Sequence, residues 1–231
     1  MTDQNQTVIP LGVEEDVDPR HIAFAQQNGN ANMLQLHQPG MENAGVWISK
    51  IPIGITHKYL FRSFVDCGKI FSVSLSTYDP HFESGAANVI FWNAEGAEKF
   101  MEKAREGLIC LKGSEPKVTW SRYVERSQGR SNKSRVIYVS GPDSVVSEPH
   151  LRGHVFTFPH ELEDVEVDVD TDSWAAIEFR FSSVKQAEHA VEAIESWQQR
   201  RDIIPMLQYD WSAVEVQYAD ELVYRVPQRV L

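Results

Sequence analysis

From Gly45 onward the apolar and polar positions follow two periods, one of strands and one of helices, and the same order of periods occurs twice. Residues 45–52, GVWISKIP, form a short β run that ends in proline. Thr56 is placed to cap a helix over 56–68, with Leu60 and Phe64 one turn apart and Gly68 to end it. Residues 69–79 alternate and predict a strand, and residues 84–92 predict another. Residues 94–106 predict a helix with Ala97, Phe100, Met101 and Ala104 on its apolar side. Residues 109–122 supply a hairpin-like segment and a closing strand, KVTWSR. The order starts again at 135–142. A helix follows over 147–158, with Leu151, Val155 and Phe158 inward and Pro149 in its first turn. The strictly alternating 162–170, LEDVEVDVD, predicts a strand with one wet face. Then come a strand over 173–181, a helix over 183–197 capped by Ser183, and a last strand over 212–220.

The chain therefore predicts two copies of one β-α-β-β-α-β unit, at a repeat of about 90 residues, too long for a solenoid. Its divisions are a disordered tail (1–43), a first domain (44–124), a basic linker (125–134), a second domain (135–222) and a C-terminal tail (223–231). The fold class is α+β: two ferredoxin-like domains, each a four-stranded antiparallel sheet with two helices on one face.

Charge changes this picture. The whole chain carries −11, but unevenly. Residues 1–44 hold 1 basic and 6 acidic groups, and residues 45–124 hold 10 basic and 8 acidic. Residues 125–135 hold 4 basic and 1 acidic, and residues 136–231 hold 7 basic and 18 acidic. A phosphate-attracting surface belongs to the middle of the chain. The two cysteines, Cys67 and Cys110, form no CxxC, which fits a reducing compartment. The N-terminus does not read as a secretory signal, and the expected location is nuclear or cytoplasmic. No phosphate loop, nucleophile elbow or metal-ligand spacing is present, so the expectation is a non-enzyme with no cofactor and no metal.

Several details narrow the fold further. Leu60, Phe64 and Cys67-Gly68-Lys69-Ile70, followed by SVSL, resemble the helix-to-strand passage of an RNA-recognition motif (RRM). Residues 118–122 resemble its closing strand. In the second copy, Ala187, Ala190, Val191, Ile194 and residues 214–220 are similar to its second helix and closing strand. The resemblance implies single-stranded RNA as partner, with bases stacked on rings of the open sheet face.

The octamer that carries those rings aligns at 84–91 and at 172–179. In the first copy Ala86 and Asn88 stand where rings are expected, and Trp47 is the ring kept on the first strand. In the second, Trp174 keeps one position, Ala176 replaces the other, and Tyr138 supplies the first-strand ring. The expected RNA-binding residues are Trp47, Lys50 and Asn88, the basic Arg122, Arg126, Arg130 and Lys133 with Arg135 behind them, and Tyr138 and Trp174. A rival reading follows from the acids of the second copy. Glu166, Asp168 and Asp170 are expected on its outer face, where they repel phosphate and suit a basic protein partner.

Overall fold

The computed structural model describes residue 20 and residues 36–77, 82–170, 173–200 and 205–221. Most of the expected N-terminal tail and the C-terminal tail lie outside these residues.

The first unit runs β1 (Gly45–Ile51), α1 (His57–Phe61), β2 (Ile70–Ser76), β3 (Gly85–Phe91), α2 (Ala94–Arg105) and β4 (Lys117–Trp120). The second runs β5 (Val136–Pro142), α3 (Glu148–His150), β6 (Leu162–Asp170), β7 (Trp174–Phe181), α4 (Val184–Gln199), α5 (Pro205–Ser212) and β8 (Glu215–Tyr218). Each unit forms a four-stranded sheet, in the orders β2-β3-β1-β4 and β6-β7-β5-β8, and every pairing is antiparallel. This is the ferredoxin-like order, twice.

The caps read from sequence are in place. The Thr56 side chain accepts from the Tyr59 amide, and Ser183 accepts from Gln186. Gly68 sits at φ +102°, a conformation open to glycine. The first helix of each unit is shorter than its apolar pattern implies. α1 passes into a 3-10 turn at Arg62–Phe64, and α3 into a π turn at Leu151–Val155. The helix α5 has no counterpart in the sequence reading. Its Trp211 is fully buried and stacks on Trp197 with ring centroids 5.4 Å apart.

Inward residues of each sheet meet the helices to form a separate core. In the first, Val46, Ile48, Val73, Ala87, Val89 and Phe91 close on Leu60, Phe64 and Phe100. Phe64, Phe91 and Phe100 are mutually in ring contact at 5.1–5.9 Å. Each such ring contributes about 1.5–3 kcal/mol by burial. The second core holds Ile137, Val139, Ile177, Phe179 and Phe181 against Ala187, Ala190 and Ile194.

Order extends to both sides of the first unit. Leu36 bridges to Tyr123, and the His37 amide donates to the Arg122 carbonyl. Asn43 is buried and holds two segments together. Its Nδ2 donates to the carbonyls of Ser121 and Tyr123, while its Oδ1 accepts from the amides of Gly45 and Glu125. Within residues 36–43, expected to be disordered, Leu36, His37 and Asn43 are thus tied to the segment after β4.

The units join along an edge. The Val73 amide donates to the Ser182 carbonyl at 2.8 Å, and Ser72 bridges to Ser183. His57 lies 3.3 Å from Glu161, and Lys58 pairs with Asp164 at 2.6 Å. At the centre of the join, the buried Arg135 pairs with Glu163 and Glu221 and lies 3.8 Å over the Phe61 ring. Glu221 also accepts from the Ile70 amide at 2.8 Å. Burial pushes its carboxyl above the ordinary range, against the pull of Arg135.

Candidate nucleic-acid interface

Strand alternation fixes which residues point away from each core. On the first sheet these include Trp47, whose backbone pairs with Asn88 on one side and Thr119 on the other. This face is closed at its centre. Trp47 is 5% exposed, Asn88 2%, Ala86 0% and Ile90 3%. The Asn88 Oδ1 is buried without a hydrogen bond. Two of the expected RNA contacts, Trp47 and Asn88, are thus not presented to a ligand in this conformation. The alternation predicted their side correctly but could not report what lies against it.

Part of the cover is the chain after β4. Glu125 crosses over Gly45, where a β-carbon would come within 2.7 Å of the Glu125 Cγ, so glycine is required by close approach. Glu125 is itself buried, and burial pushes its carboxyl up to about 7. At another corner the Arg20 guanidinium bonds to the Ser84 carbonyl at 2.8 Å and lies over the Phe82 ring. Lys50 is exposed at the bulge of β1, with φ +58°.

The stretch after β4 is not a free linker. The Gln128 amide donates to the Trp92 carbonyl, the Trp92 indole donates to Gly129, and Ser127 caps the Ala94 amide. Its basic residues divide accordingly. Arg126 and Arg130 are exposed, and Arg122 is half-buried. Lys133 pairs with Glu188 at 2.8 Å. Arg135 is consumed by its two carboxylates and is unavailable to phosphate.

Trp92 was missed by the sequence reading. It lies directly after β3, half-buried, with the Lys69 ammonium 3.9 Å above its ring and Phe71 against its edge. An unassigned ring immediately after the octamer was the available signal.

The second sheet is different. Trp174 is 40% exposed. Tyr138 pairs across to Glu178 and lies close to Asp168. Burial first, then Asp168 and Glu178, raise the phenol's pKa. Glu178 is held by Arg180, and burial raises its carboxyl, with Glu166 and Asp168 adding to the rise. A bulge between Val167 and Val169 resets the alternation, so the backbone of Asp170 pairs with the core residue Ala175. The Asp170 side chain lies outside the described part.

Among the described residues, no three His, Cys, Asp or Glu side chains cluster as a metal site, and no helix is long and apolar enough to cross a membrane.

No family model and no curated protein matches the chain. Solved structures do. The first two RRM domains of yeast poly(U) binding protein are 17% identical over 77% of this chain and 99% of that one, with a TM-score of 0.31. RNA recognition domains 1 and 2 of Sex-lethal from Drosophila melanogaster are 17% identical over 77% and 100%, with a TM-score of 0.28. The three N-terminal RNA binding domains of the yeast splicing factor Prp24 are 12% identical over 77% and 65%, with a TM-score of 0.32. The strand orders above make the chain two ferredoxin-like β-α-β-β-α-β domains in tandem.

Proposed function

We propose that this protein binds single-stranded RNA, chiefly through the first domain and the basic segment that follows it. The observation that carries this reading is the placement of Arg126 and Arg130. They are exposed on a segment held against the first domain, close to Trp92 and Lys69. Cations on an ordered strip lose little freedom on meeting phosphate, and a half-buried ring beside them offers a base a stacking surface. Lys50 and Arg122 extend the basic character around the first sheet.

The binding is expected to be salt-dependent. With labelled random single-stranded RNA, Arg126→Glu with Arg130→Glu should weaken binding about tenfold or more and flatten the salt slope by about 2. No binding by the unaltered chain at roughly 100 µM in low salt would sink the reading, since non-specific contacts are already visible there.

The open second sheet favours a second reading for that domain alone. Tyr138 and Trp174 stand among Glu166, Asp168, Glu178 and the exposed Glu215, a surface suited to a cationic peptide. Capture of such a peptide that survived Glu166→Lys with Asp168→Lys unchanged would rule it out.

A further inference from the structure

β2 is an edge strand, and part of its outer edge is already taken by the second domain. The Val73 amide points away from β3 and donates to the Ser182 carbonyl at 2.8 Å, and Ser72 bridges antiparallel to Ser183. The second domain thus adds a short piece of backbone to the first sheet. The addition stops there, because the Ser182 amide turns to the Glu161 carbonyl and the chain before it belongs to β7.

Strand alternation makes Leu75 the next residue whose amide and carbonyl point outward as those of Val73 do. Val73 stands opposite Val89 and Leu75 opposite Ala87, with no register shift between them. Among the described residues, neither the Leu75 amide nor its carbonyl has a hydrogen-bond partner. An open stretch of edge is a template for another strand.

A groove of about 790 Å³ adjoins this stretch. Ser74 and Leu75 line it on the β2 side, and Phe158, His160 and Lys185 line it on the side of the second domain. Leu75 and Phe158 are half-buried, each packed in part on its own core. Lys185 is exposed and pairs with no carboxylate among the described residues. The one carboxylate in the lining, Glu161, lies 3.3 Å from His57. The Gln186 side-chain oxygen is taken by the Glu161 amide and the Ser182 hydroxyl, which leaves its nitrogen as a donor. The groove therefore offers an open strand edge, apolar surface and a surplus of positive and donor groups.

We propose that this groove takes an extended acidic segment of a partner protein, added as a strand to the edge at Leu75. The segment continues the addition that Ser182 and Ser183 begin, and the Leu75 backbone supplies its main-chain bonds. Its apolar side chains lie on Leu75 and Phe158, and its carboxylates meet Lys185. A basic segment would set like charge against Lys185. This surface is distinct from the acidic second sheet and from Arg126 and Arg130, so it stands apart from the RNA reading.

The test uses the full chain labelled with 15N and a synthetic octapeptide of alternating valine and glutamate. The peptide should shift the Leu75 amide signal and slow its hydrogen exchange, because that amide gains an acceptor. The same peptide with its backbone amides N-methylated should bind about tenfold more weakly, having lost its main-chain donors. A peptide of alternating valine and lysine should also lose about tenfold, and Lys185→Glu should narrow that preference. Lys185 is exposed, so the variant should melt with the unaltered chain. Unchanged Leu75 exchange at roughly 1 mM peptide would overturn the proposal. Equal binding of the N-methylated peptide would exclude strand addition, and equal binding of the lysine peptide would exclude an acidic partner; either result overturns the assignment. A uridine decanucleotide that moved the Leu75 signal where the peptide did not would give the groove to RNA instead. A dimer of the chain alone in sedimentation, with Leu75 already protected and the peptide without effect, would give the edge to a second copy.

Discussion

The two sheets share a strand order and a core pattern, yet their outer faces have opposite fates. On the first, the outward positions Trp47, Ala86, Asn88 and Ile90 are buried and carry no charge. On the second, the outward positions include Tyr138, the exposed Trp174, and the carboxylates of Glu166, Asp168 and Glu178. Small residues and one ring made the first face able to accept a cover. Charges made the second too costly to cover without a matching set of cations. One fold thus constrains the inner residues of a sheet tightly and leaves the outer ones free to differ.

The sharpest way to break this comparison is to truncate one ring on each face. Trp47→Ala should lower stability by about 4 kcal/mol in urea denaturation, as for other buried aromatics. Equal losses at Trp47 and Trp174 would mean that the two faces are not distinguished by burial. The join between the domains comes next. Arg135→Ala leaves Glu163 and Glu221 buried without their cation and should cost at least about 3 kcal/mol. A loss under about 1 kcal/mol would show that the domains do not lean on each other there.

The third effect depends on pH. The Glu125 carboxyl is raised in the folded chain from 4.5 to about 7, so between those values the folded state holds a proton that the unfolded state has released. Stability is then greatest below the lower value, falls as pH rises through the window, and is flat above it. The total fall is roughly 3 kcal/mol. Glu125→Gln should remove this dependence, seen as a melting temperature that no longer drops between pH 5 and about 7.5. An unaltered slope in the variant would place the proton elsewhere. The smallest effect is Trp174→Ala, expected within about 1 kcal/mol because its ring is substantially exposed.

Much of the fold was legible along the chain because local chemistry decides it. The Thr56 and Ser183 caps, the inward Ala87-x-Val89-x-Phe91 row and the α4 row of Ala187, Ala190 and Ile194 all fall where their spacing put them. α5 escaped notice because its hydrophobicity is not arranged along one face, and its place comes from the buried Trp211, stacked on Trp197 and beside His150, with Asp210 held by Ser144. The basic stretch also misled in part. Arg135 carries the same charge as Arg130, and nothing nearby in sequence marks it as the residue two distant carboxylates would claim.

The sequence by itself determined the two repeats, the order of their elements and the side of each sheet on which a residue stands, because periodicity and turn chemistry act over a few residues. Tertiary structure alone decided which sides are covered. It buried Trp47 and Asn88, took Arg135 out of reach, paired the exposed Lys133 with Glu188, left Arg126 and Arg130 exposed, and brought Ser72 beside the start of α4. Burial and ion pairing depend on groups that meet only when the chain folds, and alternation along a strand carries no record of them.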